Sequence, residues 1–388
     1  MNKEEFLTLG EYFIRLVRYG VDGGKEAGLS LPVKAESIRW EDVYALADRH
    51  SLCALCYSCV KDEEMSDELK AKWERAYRVA VHADVLQLFA WEEIRETLPS
   101  KGLKILPLKG IHVKKLYPHT SLRQMGDLDI LYDAKDFSLL KKTLEGLGYS
   151  YQKESGKTNH QIFFREPVVE VEFHSNLMPE GVAYRAYYES PWERAVQTET
   201  ENLYAFSRED EYVYQVLHAA KHYGALGSGV RTVADFHLYL QKYGSSLNRE
   251  YIDAQLQKAD DMAQSAGHEA ISAVQFEKAL LQTVCDWFDG DEIVFSEIAL
   301  CMLSDGVYGK AENAWQKGYE KSGKKKYLLS RLFPPYSVMK KRNPCLKKFP
   351  FLLPFFWIGR LFKGLKNKKR TMAEYEYIRK ADEKNSRL

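Results

Sequence analysis

The sequence predicts an α/β (α+β) protein in which a small mixed sheet lies between an N-terminal and a C-terminal helical region. Two observations carry this. Between about residues 99 and 202 the chain breaks into short segments with two-residue alternation. The clearest is Val168-Val169-Glu170-Val171-Glu172-Phe173-His174, with Val169, Val171 and Phe173 on one face and Glu170, Glu172 and His174 on the other. On either side of that interval the apolar residues fall at helical spacing, as in Trp40-Glu41-Asp42-Val43-Tyr44-Ala45-Leu46-Ala47.

Residues 1–98 read as the N-terminal helical region, periodic over 40–47 and 80–86 and interrupted early by Gly20, Gly23, Gly24 and Pro32. Pro99-Ser100 marks its end. The core, 99–202, opens with a strand over 103–108 and a helix over 111–116 that Pro118 terminates. A strand over 128–132 and a helix over 137–145 follow, the helix stopped by Gly148. Strands over 161–165 and 168–174 are joined by a tight turn at Glu166-Pro167, and 192–205 is a loosely defined connector. A helical domain, 203–330, begins near Ser207, an N-cap with Asp210 three residues on. Phe333-Pro334-Pro335 introduces a tail, 331–388, rich in proline, lysine and aromatics. There is no internal repeat.

At 388 residues the chain can bury a large core and fill two or three domains. Its 56 Lys and Arg offset 55 Asp and Glu, so overall charge selects no partner. No apolar run reaches the length of a membrane span. The first residues, Met1-Asn2-Lys3-Glu4-Glu5-Phe6, carry acids where a signal peptide needs a basic region, so a cytoplasmic location is expected. Cys53, Cys56 and Cys59 are spaced by three on a predicted helix, as metal or cluster ligands sometimes are. No fourth cysteine follows nearby, and Cys285 and Cys301 fall in another helical region. Small buried residues on a helix face account for them.

The chemistry concentrates around Gly126-Asp127-Leu128-Asp129-Ile130-Leu131. Asp127 and Asp129 are two apart on a strand and share a face, while Leu128 and Ile130 point the other way. Adjacent carboxylates repel unless a cation lies between them, and hard cations such as Mg²⁺ prefer such oxygen ligands. If the acidic strand over 168–174 lies beside this one, three or four carboxylates converge. Two Mg²⁺ ions so held clamp a triphosphate and activate an attacking hydroxyl. Upstream, Lys109-Gly110 precedes a helix: glycine admits a phosphate close to the backbone, the helix start faces it, and Lys109 adds a point charge. Arg123 is placed either to bridge a phosphate or to hold the aspartates. His174, on the acidic face, either contacts substrate, orients a carboxylate or is a satisfied structural histidine. His218 and His222 share a helix face beside Lys221, but the run His218-Ala219-Ala220-Lys221-His222 lacks the glutamate of a zinc-protease motif, so contacts within a cleft are expected. Arg231 and Asp235 are expected to form an intrahelical pair.

Leu108-Lys109-Gly110, Leu116-Tyr117-Pro118, Arg123-x-x-Gly126-Asp127-x-Asp129 and Glu172-Phe173-His174 resemble the uncharacterised bacterial nucleotidyltransferases, within the nucleotidyltransferase superfold of DNA polymerase beta. The likeness extends, more weakly, to 40–57, His218-x-x-x-His222, Arg231-x-x-x-Asp235 and the tail. It implies a mixed-sheet nucleotidyltransferase core and Mg²⁺-dependent transfer of a nucleoside monophosphate from an NTP to a hydroxyl or phosphate acceptor, releasing pyrophosphate. The acceptor is a small molecule, protein or RNA. Asp127, Asp129 and Glu172 are then the metal-binding and catalytic carboxylates, the resemblance favouring Glu172 over Glu170, and Lys109, Gly110, Arg123 and His174 serve the nucleotide. Where the wider superfold has Gly-Ser or Gly-Gly at the turn, this chain has Gly110-Ile111, with Lys109 expected to compensate. The alternative is a non-catalytic protein of the same fold, an antitoxin-like or immunity-like interaction partner.

The tail has no Asp or Glu between Leu332 and Ala373 but carries Lys340, Lys341, Arg342, Lys347, Lys348, Arg360, Lys363, Lys366, Lys368, Lys369 and Arg370 around an aromatic stretch over 349–358. This suits peripheral contact with an anionic membrane or nucleic acid. A tail folded onto the helical domain through its aromatics accounts for the same pattern.

Overall fold

The alternating strand forms as its sequence dictates: Val169, Val171 and Phe173 are buried along β5 (Val169–His174), and Glu170, Glu172 and His174 are not. It is the middle strand of a five-stranded mixed sheet with β1 (Ile105–Pro107), β2 (Leu128–Tyr132), β3 (Ser150–Gln152) and β4 (His160–Arg165), in the order β1-β2-β5-β4-β3. β2 and β5 are parallel, placing Asp129 level with Glu172, and the remaining pairs are antiparallel. The computed structural model describes residues 2–152, 160–225, 227–268, 271–306, 324–336, 338–339, 343, 346 and 349–357. Residues 1–308 form one compact unit and 309–388 another.

One face of the sheet is apolar. Leu128, Ile130 and Tyr132 of β2 and the three buried residues of β5 pack on Ala90, Trp91, Ile94 and Leu98 of α4 (Asp67–Ser100) and on Leu140 and Leu144 of α6 (Phe137–Gly146). Phe173 meets Tyr132 and Phe163 edge to face, centroids 6.0 and 5.8 Å away. Burying that face leaves the carboxylate face to the other side. A larger core joins α1 (Lys3–Val21), α2 (Trp40–Arg49) and α3 (Cys53–Val60) to the helices after the sheet: α7 (Arg208–Ala225), α8 (Val230–Tyr243), α9 (Arg249–Ser265), α10 (Ala273–Val284) and α11 (Glu297–Asp305). Cys53 and Cys56 are buried on α3 and burial pushes both thiols up, as small core residues on a helix face should behave.

The structure differs from the sequence reading at several edges. β1 is shorter than 103–108, and α5 (Lys109–Val113) begins two residues before the expected helix, with a tighter turn, Lys114–Leu116, completing it. α4 runs past the expected boundary at 98, through Pro99 to Ser100. β3 and the hairpin of β6 (Ala195–Gln197) with β7 (Tyr204–Phe206) were not expected, because three residues are too few to show alternation. α7 starts as anticipated, with the Asp210 amide donating to Ser207 Oγ at 3.0 Å. It ends at Gly227, whose φ of +120° and amide bond to the His222 carbonyl close the last turn. A Cβ there would lie 2.5 Å from Asp305 Cβ. Only glycine fits, and the turn sends α8 back along the cleft.

In the second unit, Phe333 packs edge-on against Trp357, whose Nε1 donates to the Pro334 carbonyl. The basic residues of the tail named above lie outside the described residues. No helix among the described residues is long and apolar enough to cross a membrane.

Candidate active site

Asp129 on β2 and Glu172 on β5 are brought together by the parallel register, and Asp127 enters from the residue before β2 rather than from within the strand. Their carboxylate oxygens lie within 4.8 Å of one another. Glu172, not Glu170, completes the group. Burial and the neighbouring Asp129 and Glu170 charges raise Asp127 to about 6, and burial with Asp127 and Asp129 raises Glu172 to about 7. Asp129 behaves oppositely. Burial alone would raise it, but His174, with Nε2 2.8 Å from its Oδ1, holds it below the usual carboxylate range. That contact outweighs the effect of burial on the imidazole, which is raised in turn. His174 is thus in direct contact with a site carboxylate. An all-oxygen set this close fits Mg²⁺.

The acids line a cleft of about 320 Å³ whose other wall is α7 and α8. α7 contributes Tyr214, His218, Lys221 and His222. Lys109 Nζ reaches across from α5 to His218 Nδ1 at 2.7 Å, and His222 Nε2 lies 3.3 Å from His218 Nε2. Burial, then the Arg123 charge, brings Lys109 down to about 7, and burial brings Lys221 to about 8 despite Asp129 and Glu172. Lys109 and Gly110 lie in the first turn of α5, so the free amides of that turn belong to these residues themselves. A Cβ on Gly110 would approach Met125 Sδ to 2.7 Å, so this glycine also lets α5 pack against the loop leading to Asp127.

Arg123 pairs with Asp235, a partner that neither expected arrangement named. Its Nε and Nη2 donate to the two oxygens of Asp235 on α8 at 2.8 and 2.7 Å, in a buried pair that Tyr117 Oη also joins at 2.9 Å. Asp235 is thus held from outside its helix, while Arg231, its expected intrahelical partner, donates to the Gln124 carbonyl. A buried carboxylate on α8 thus pairs directly with a buried guanidinium from another element, and the Arg231 charge adds to its stabilisation.

The sequence reading also missed what fixes the loop before Asp127. Gln87 of α4 donates to the Met125 carbonyl at 2.9 Å, and the Ala54 amide of α3 donates to the Gln124 side chain at 3.3 Å. Beneath them Lys114 pairs with Asp84 at 2.5 Å, and Thr120 donates to the same carboxylate at 2.7 Å. Asp84 and Gln87, polar residues three apart on a buried helix face, were the available signal.

Residues 36–261, more than half the chain and all the cleft residues named above, match the model of a family described as uncharacterised nucleotidyltransferases. No curated protein and no solved structure shows a significant match. The chain belongs to this uncharacterised nucleotidyltransferase family.

Proposed function

We propose that the protein transfers a nucleoside monophosphate from an NTP to an acceptor hydroxyl or phosphate, with Asp127, Asp129 and Glu172 as the metal-binding carboxylates. The supporting observation is their convergence within 4.8 Å in a cleft that also holds Lys109 of α5 and Lys221 of α7. Two Mg²⁺ ions, when bound, neutralise the triphosphate and lower the barrier to in-line displacement. The residues of the chain do the rest. Lys109, with Gly110 beside it, and Lys221 hold the triphosphate by charge. His174 keeps the Asp129 carboxylate aimed into the cleft. Glu172 takes the proton of the acceptor as its oxygen bonds to the α-phosphorus. The bond from that phosphorus to the bridging oxygen then breaks, and pyrophosphate leaves. α7 and α8 choose the acceptor, which is a small molecule, a protein or an RNA.

The test incubates the protein with each α-labelled NTP, Mg²⁺ and a cell extract, and follows the label. Transfer is expected with one NTP at least, and it should fall by orders of magnitude in the Asp127→Asn/Asp129→Asn double variant, whose circular dichroism should stay unchanged. Glu172→Gln should lower turnover more than NTP affinity. Near-normal transfer by the double variant would overturn the carboxylate assignment. Absence of any Mg²⁺-NTP binding by the native protein would favour the non-catalytic interaction protein.

A further inference from the structure

The carboxylate face does not end with the three acids. β4 runs antiparallel to β5 and places His160 directly opposite His174, two residues beyond Glu172 on the same face. The two rings lie side by side, tilted at 53° with centroids 5.5 Å apart. One donor atom each from His160, Glu172 and His174 can be chosen within 4.8 Å of one another. We infer that these three residues form a second kind of cation site, for a transition-metal ion of the Mn²⁺, Co²⁺ or Zn²⁺ class, sharing Glu172 with the carboxylate group.

The argument is one of donor chemistry and spacing. Two imidazoles and one carboxylate suit transition metals, whereas Mg²⁺ takes oxygen donors and discriminates against nitrogen. Bonds of about 2.0–2.1 Å to a tetrahedral ion put neighbouring donors roughly 3.3 Å apart. His174 Nε2 and Glu172 Oε2 already stand at 3.6 Å. Asp129, 2.8 Å from His174 Nε2, supplies a further oxygen at the same place. Two histidines and a carboxylate occupy one side of an ion and leave its remaining positions to the cleft. The face is therefore graded, with oxygen donors at the Asp127 end and nitrogen donors at the His160 end. This inference shares Glu172, Asp129 and His174 with the proposed function. Its own content is nitrogen ligation.

The experiment uses the full chain, freed of metal by chelation, in excess Mg²⁺. Mn²⁺ is added at one equivalent and its ligands are read by pulsed electron paramagnetic resonance; Co²⁺ is titrated in parallel and read by visible absorption. Nitrogen-14 coupling to Mn²⁺ and a Co²⁺ band saturating near one equivalent are expected. His160→Gln and His174→Gln should each weaken Co²⁺ binding about 10–100-fold, the scale on which metal-site partners act. To guard against a misfolded variant, native protein labelled with nitrogen-15 histidine is examined with Co²⁺. Two of its ten imidazoles should shift strongly. Oxygen-only ligation in the native protein would overturn the inference, and so would nitrogen coupling and Co²⁺ affinity that stay at native strength in both variants. Mg²⁺-NTP binding, measured on the same samples, separates the two ideas: if it persists while nitrogen ligation is absent, only the second site is lost. Asp127→Asn should reduce Mg²⁺-NTP binding and leave the Co²⁺ band in place.

Discussion

Arg123 lines the cleft, yet its guanidinium is bound to a buried partner on the opposite wall. Its guanidinium is 4 % exposed and bidentate on Asp235, so removing it strands a buried carboxylate. Arg123→Ala should cost about 3–5 kcal/mol of unfolding free energy, measured by urea denaturation. The Arg123→Ala/Asp235→Asn double variant should recover part of that loss, because no unpaired charge remains. If Arg123→Ala instead left stability unchanged and lowered NTP affinity alone, the residue would be a phosphate ligand after all. The contrast with Asp127, Asp129 and Glu172 is instructive. Those three were legible because spacing along a strand fixes the face a side chain takes. Arg123 was not legible, because its partner lies 112 residues away and nothing local selects it.

α7 shows the same division at the level of an element. Ser207 and the periodicity after it announced the helix, and its histidines were expected in a cleft. Their electrostatics depend on what packs above them. Burial, then the charges of Lys221 and Lys109, depress His222 to about 3 against the weaker pull of Asp129, and His218 falls well below its ordinary value for similar reasons. The folded protein keeps these imidazoles neutral while the unfolded chain protonates them below about 6.5. For these two groups the unfolded state therefore binds more protons as pH falls, and their contribution destabilises the fold from about pH 6.5 downward. Each such group contributes a slope of at most about 1.4 kcal/mol per pH unit. Asp127 and Glu172 take up protons in the folded state over the same range and act in the opposite sense, so the histidine contribution is read as a difference. His222→Gln should raise the urea midpoint of the chelator-treated protein at pH 5.0 relative to that at pH 7.5, compared with the native chain. An unchanged difference between the two pH values would show that His222 is not held neutral by its surroundings. The sheet is a parallel case. β2 and β5 were readable from alternation, whereas β3 depends on the edge of the longer β4, and β6 and β7 pair with each other, three residues apiece and too short to announce themselves.

For the molecule as a whole, the cleft residues all fall within residues 1–308, and the basic tail begins beyond them. Catalytic and tail functions should therefore separate. Among the described tail residues Phe351 is 70 % exposed and Phe355 68 %, apolar rings left open to solvent in a segment whose sequence is basic on both sides. Aromatic rings that enter a headgroup layer beside lysines attracted to anionic lipid make a peripheral anchor, each basic residue near the surface contributing about 1 kcal/mol. The full chain should sediment with phosphatidylserine-containing vesicles at low salt, and a chain ending before Lys340 should stay in the supernatant. Raising the salt to about 0.5 M should release the full chain, because attraction at the surface fades once screening shortens below roughly 5 Å. NTP binding should be the same in both forms, since no cleft residue is removed. A full-length protein that ignores such vesicles at low salt would end the anchor proposal. Binding that persists equally in the shortened chain would place the membrane contact before Lys340.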